Sequence, residues 1–256
     1  MGSSVRRIQL EVTDNRYKQV GRLQSELRAT QGKPFFYGWD LRRHYAKPEL
    51  VMADLFSLRL PATFEPAGEE RGTKYDESSS CAHCGSGAKQ VGPLLLDVRR
   101  IPKGKDFAKT IAGEIAVSRR VLELFKQHGI TGVAMSPVRM SAASSAESKD
   151  WFQLSALSAG AEIIAPTRVG NNPFDDDPHD EGRCPLGDLL GLNLLSEVTI
   201  RASTRGNDDF VSSRQFIGVR RGLLRPERVL FISPKVWKLI ESEKLKGVEV
   251  EIARLA

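Results

Sequence analysis

Cys81, Cys84 and Cys184 are the only three cysteines of this 256-residue chain, and the first two stand in the run Cys81-Ala82-His83-Cys84-Gly85. Two thiolates three residues apart, with a glycine easing the backbone round the turn, form the knuckle that presents two of the four tetrahedral ligands of zinc. One knuckle is half a site. Pro178-His179-Asp180-Glu181-Gly182-Arg183-Cys184 places an imidazole and a third thiolate in one loop, so the predicted zinc set is Cys81, Cys84, His179 and Cys184. The alternative leaves all three thiols unmetallated, with Cys184 an orphan, because Leu186-Gly187 occupies the place of a further cysteine. An odd cysteine count fits a reducing compartment rather than a disulfide framework. The polar flanks of the pair lack the strand-then-helix context of a thioredoxin-like redox site.

A second chemistry is charge. Residues 171–182 hold turn formers and a run of carboxylates and read as an acidic loop. Phe174 flanked by Asp175, Asp176, Asp177, Asp180 and Glu181 has the make-up of a partner-binding patch, an aromatic anchor with carboxylates that steer a basic surface toward it. The competing reading is a solvated loop. Other catalytic patterns are missing from the sequence. Gly85-Ser86-Gly87 is too short for a phosphate loop and opens no helix. No Gly-x-Ser-x-Gly elbow occurs. His44 reads as a surface residue, and His128 as a helix C-terminal residue favoured by the dipole.

The elements that would position these groups contain an internal echo. Residues 115–133 align without gaps on residues 230–248, and Ser118/Ser233, Val121/Val236, Leu124/Leu239, Gly132/Gly247 and Val133/Val248 are identical pairs. In each copy an apolar run predicts a buried strand, and the serine caps the following helix by accepting a backbone N–H. Pro234 suits the first helical position, where its missing N–H costs nothing. Apolar residues at i, i+3 and i+4 line one helix face. The glycine then turns the chain into a second strand. Two strand–helix–strand modules are therefore expected, by duplication rather than by shared generic grammar.

Elsewhere, alternation over Arg7–Thr13 predicts a strand and residues 15–28 a short helix. Phe35-Phe36-Tyr37-Gly38-Trp39 reads as core packing under a loop. Further strands are expected at 55–60 and 151–154, and residues 65–80 read as a polar loop. The Ala/Ser-rich stretch 141–148 marks a candidate boundary. The net charge of +6 comes from scattered Arg and Lys rather than one dense block, which disfavours nucleic acid as a partner. No apolar run is long enough to span a membrane or serve as a secretory signal, so a cytoplasmic protein is expected. Arg6 removes the hydroxyl that a myristoylation signal needs.

The Cys-x-x-Cys-Gly knuckle, the later Cys184-Pro185-Leu186-Gly187, and the Ser-capped helix with its Gly-Val return strand together resemble the double-CXXCG proteins of myxobacteria. The resemblance rests on residues 81–85, 184–187 and 230–255. Gly187 departs from it, standing where that family has its fourth cysteine. Members are regarded as immunity proteins that neutralise a toxin encoded beside them. The combined expectation is an α+β fold with duplicated strand–helix–strand modules, mixed sheets and a zinc-knuckle-like loop joining them. It has an N-terminal half over 1–140 and a C-terminal half over 150–256. The resemblance implies a non-catalytic protein that binds a cognate toxin and carries zinc. The alternative is a zinc-knuckle protein that binds nucleic acid.

Overall fold

The computed structural model describes residues 6–141, 144–174 and 183–256, which fall into two compact units. The smaller runs to Arg42 and includes Asn172–Phe174; the larger takes in the described residues from Arg43 to Asn171 and from 183 onward. The smaller unit is built on helix α1 (Asn15–Gln31). Asp14 starts it by accepting the Arg16 N–H at 2.8 Å, and Gly32 ends it in the left-handed region at φ 63°. The alternating segment before it forms no strand: among the described residues no edge pairs with its backbone, and Ile8 and Val12 are 66% and 62% exposed. The aromatic patch also departs from expectation, with Tyr37 95% exposed and Phe35 42%. Only Phe36 of that patch joins an aromatic contact, to Phe174 at 6.3 Å.

The larger unit begins with α2 (Lys47–Met52), β1 (Phe56–Arg59), β2 (Thr63–Phe64), β3 (Lys74–Asp76), β4 (Lys89–Val91), β5 (Phe107–Thr110), β6 (Ile115–Ser118), α3 (Arg119–Gln127) and β7 (Val133–Ser141). It continues with β8 (Ser144–Ala156), β9 (Ala159–Ala161), β10 (Ile163–Ile164), β11 (Val169–Gly170), β12 (Leu189–Gly191), β13 (Asn193–Leu194) and β14 (Val198–Ile200), then β15 (Phe210–Ile217), β16 (Glu227–Ile232), α4 (Pro234–Ser242) and β17 (Glu249–Leu255). The fold is α+β with mixed sheets. One sheet orders β10-β14-β17-β1-β16-β15-β12 with β9 beside β15, and a second orders β2-β5-β6-β8-β7. The pairs β3-β4 and β11-β13 stand apart as two-stranded ribbons. Within the stretch 141–148, read as a boundary, the described residues belong to β7 and β8, which pair antiparallel.

Both predicted modules form, β6-α3-β7 and β16-α4-β17. Ser118 and Ser233 accept the N–H groups of Val121 and Val236, each at 3.4 Å, and Pro234 takes the first helical turn. Neither module pairs its own two strands. A third strand lies between them in each case, so both are split strand–helix–strand units. β8 separates β6 from β7, with Phe152 facing Val117 and Pro137. β1 separates β16 from β17, with Phe56 facing Ile232 and Ile252. The filling strand is exchanged: β1, ahead of the first module, completes the second, and β8, ahead of the second, completes the first.

The flanking pairings correspond as well. β2 runs parallel to β5 at Thr63 and Lys109, as β9 does to β15 at Ala159 and Ser212. Leu95 bridges in parallel to Arg139 of β7, as β14 runs parallel to β17. One aspartate in each half serves both modules. The Asp106 backbone carbonyl and side chain accept from Ser118 N–H and Oγ, and its other carboxylate oxygen accepts the Lys246 N–H. Asp209 receives Ser233 in the same two ways and takes the Thr131 N–H.

The main core sits between the modules. It joins Phe107, Val117, Val121, Phe125 and Phe152 to Phe210, Ile232, Val236, Ile240 and Phe56, all buried. Each such side chain contributes about 1.5–3 kcal/mol by leaving water. Separate clusters cover the outer faces, one around Leu94, Leu96, Ala116 and Val138, the other around Ile200, Val211, Phe231 and Ala253. This arrangement carries the tip of the β3-β4 ribbon and the loop that leads into β12 to one place.

Candidate metal centre

The connection between β3 and β4 contains Cys81 and Cys84; the connection between β11 and β13 contains Cys184 and Asp188. Each loop is closed in the same manner. Cys81 N–H donates to the Ser86 carbonyl at 2.8 Å, and Cys184 N–H to the Leu189 carbonyl at 3.5 Å, each five residues on. Within them, Gly85 at φ 73° donates to the Cys81 carbonyl at 2.8 Å, and Gly187 at φ 78° to the Cys184 carbonyl at 3.0 Å. A side chain would be strained at either glycine. The end of β15 and the segment after it close over the pair: Arg220 N–H donates to the Cys84 carbonyl at 3.0 Å, and Phe216 and Val219 pack against the cysteines.

The four donor atoms of Cys81, Cys84, Cys184 and Asp188 all lie within 4.8 Å of one another. The Cys81 and Cys184 sulfurs are 3.7 Å apart. Zinc–sulfur bonds of about 2.3 Å directed to tetrahedral corners separate two sulfurs by about 3.8 Å, so the spacing matches that edge. Cys84 and Cys184 are buried, Cys81 is half-buried and Asp188 is exposed. Three soft thiolates and one carboxylate form a donor set that zinc accepts, and these residues fit a metal ion.

The electrostatics of the thiols are uneven. At Cys81 the N–H groups of Cys84 and His83 favour the thiolate, but burial and the hydrogen bonds with Asp188 and Cys84 outweigh them and push the thiol up to about 11. Cys184 moves down: its burial opposes ionisation, yet the Leu186 N–H and the neighbouring thiols of Cys81 and Cys84 hold the thiolate. The Cys84 sulfur lies 3.2 Å from the Ser86 hydroxyl.

Of the predicted zinc ligands the structure brings together Cys81, Cys84 and Cys184. His179 lies outside the described residues, as do Asp175, Asp176, Asp177, Asp180 and Glu181. Among the described residues the fourth donor is Asp188, which the sequence reading did not single out. The available signal was its place four residues after Cys184, at the end of the glycine turn. Phe174 is half-buried, its ring 4.7 Å from Tyr17 and 6.3 Å from Phe36. The aromatic face proposed for a partner is thus engaged by the chain's own side chains.

Two further polar clusters lie in the larger unit. Buried Glu114 accepts from the Tyr75 hydroxyl at 2.8 Å and the Gly68 N–H at 3.2 Å, and bonds the Thr110 hydroxyl. Burial and the Glu114 charge raise the Tyr75 phenol, so this pair works as a satisfied latch between loops. A groove of about 450 Å3 is lined by Gln90, Ser136, Glu147, Gln153 and Ser155. Its two carboxamides bond each other at 3.0 and 2.7 Å, and Glu147 lies 3.7 Å from Arg139.

No model of a known protein family matches the chain, and no curated protein is significantly similar to it. Among the described residues no helix is long and apolar enough to cross a membrane.

Proposed function

We propose that this chain is a non-catalytic interaction protein of the immunity type, which binds and occludes a cognate toxin, and that a zinc ion at Cys81, Cys84, Cys184 and Asp188 ties its two halves into one rigid binding body. The observation that supports this reading is the meeting of two loops from distant parts of the sequence, the β3-β4 tip and the loop into β12, which together provide four donors. A zinc site with four protein ligands has a structural role, whereas catalytic zinc keeps a position open for water or substrate. A pair of knuckle-like loops is also what the resemblance to the double-CXXCG immunity proteins implies. When bound, zinc would supply a fixed cross-link. The chain's own residues do the rest: Gly85 and Gly187 turn the loops, and Arg220, Phe216 and Val219 close over them.

The matching capped helices, exchanged strands and paired aspartates support an origin of the two halves by duplication. On this reading the knuckle at Cys81 and the loop at Cys184 are the same part of two copies, with Asp188 making up for the cysteine missing at Gly187. The two-fold arrangement gives a partner a broad, pre-formed surface.

The partner is tested with the product of the neighbouring gene. Co-expression should relieve its toxicity and give a one-to-one complex by light scattering that survives moderate salt. Continued toxicity with no complex would contradict the immunity reading. The competing nucleic-acid reading predicts instead binding to a labelled oligonucleotide that falls steeply with salt, as condensed counterions are released.

A further inference from the structure

Cys81 and Cys184 combine three properties that together suit a thiol pair as well as a pair of metal donors. Their sulfurs lie 3.7 Å apart, they are 103 positions apart in sequence, and Cys81 is the more exposed of the two thiols. Cys84 differs from both. It is only 3% exposed and its sulfur is engaged with the Ser86 hydroxyl at 3.2 Å. With a carboxylate as the fourth donor, no second cysteine accompanies Cys184, so the cluster can form a single disulfide and must leave one thiol over.

From this we infer that the centre is an oxidation-responsive clasp in which a peroxide converts the metal tie between the two loops into a Cys81–Cys184 disulfide. The inference rests on the metal reading above for its starting state. The Cys81 thiolate attacks one peroxide oxygen, the O–O bond breaks, and a sulfenic acid forms while the departing hydroxide takes a proton to become water. The Cys184 thiolate then attacks the Cys81 sulfur and displaces hydroxide. Two electrons pass from the two sulfurs to the peroxide, and zinc leaves as the divalent ion because two of its four donors are gone. The clasp stays closed, since the new bond joins the same two loops. Cys84 and Asp188 are left unligated, and a dithiol reductant with zinc reverses the exchange.

The test uses the full-length chain as purified, with its metal, treated with hydrogen peroxide. Released zinc is read by a chromogenic chelator and the cross-link by peptide mapping after alkylation. The expected result is release of about one zinc per chain, a Cys81–Cys184 peptide, and Cys84 alkylated as a free thiol. Cys84→Ser should still form the cross-link and Cys184→Ser should not. Zinc retained with all three thiols reduced would overturn the inference, as would a Cys81–Cys84 bond or oxidation to sulfinic acid with no disulfide. A chain that arrives without zinc yet gives the Cys81–Cys184 bond would contradict the metal reading while leaving the thiol pairing standing.

Discussion

Asp188 is the residue on which the character of the centre turns. Three thiolates alone would leave a zinc ion an open position, and the exposed carboxylate is placed where it could fill it. Asp188→Ala should therefore keep the fold, because the side chain is exposed, but weaken zinc binding on the order of tenfold or more. Competition against a chelator of known affinity checks this, and an unchanged zinc affinity would remove Asp188 from the ligand set. The cysteines were legible in the sequence because a Cys-x-x-Cys-Gly run is local and its chemistry has few alternatives. Asp188 was not, since a carboxylate four residues past a cysteine is ordinary until folding places it within 4.8 Å of two sulfurs more than a hundred positions away. The acidic run drew attention by composition alone, and Phe174 shows what composition omits. An aromatic beside carboxylates reads as an exposed anchor, but Tyr17 and Phe36 already hold its ring.

At the scale of elements, the two modules were read almost to the residue because each of their signals is local: a serine cap, a proline in the first turn, a helix-spaced apolar face and a glycine return. The strands that complete them, β1 and β8, were expected at 55–60 and 151–154, but their places inside the modules were not, because the choice of pairing partner leaves no periodic mark in the sequence. One sequence clue did exist. The dipeptide Asp-Phe opens β5 as Asp106-Phe107 and β15 as Asp209-Phe210, at the same interval from Cys81 and Cys184 respectively. These are the positions that receive the returning glycines. A Cβ on Gly132 would fall on the Phe210 carbonyl oxygen, and one on Gly247 on that of Phe107, with φ at 78° and 89°. Gly247→Ala should accordingly cost about 2–4 kcal/mol, from strained backbone and from a contact with main chain that cannot give way. Gly104→Ala is the control, since nothing lies within 4 Å of its Cβ position although its φ is also positive, at 69°. Urea unfolding of both variants separates the two causes, and equal losses would mean that close approach to Phe107 contributes nothing. The same logic explains the failed strand before α1. Alternation describes a half-buried strand only when a neighbouring edge exists to pair with it, and residues 6–12 meet none among the described residues.

For the whole molecule, the consequence is a larger unit in which strands, aspartates and metal donors are all traded between two halves. β1 and β8 cross over, Asp106 and Asp209 each bind the turn of the opposite module, and the two loops pool their donors at the cluster. A tie of this kind fits a protein whose work is to present a rigid surface to a partner, since pre-organisation lowers the ordering cost of binding. Elemental analysis of the full-length chain, purified without a metal-binding tag, tests the centre of this account most directly. The account predicts about one zinc per chain, bound by the four donors together. Less than about one tenth of an equivalent, in protein that is folded and has its thiols reduced, would contradict it.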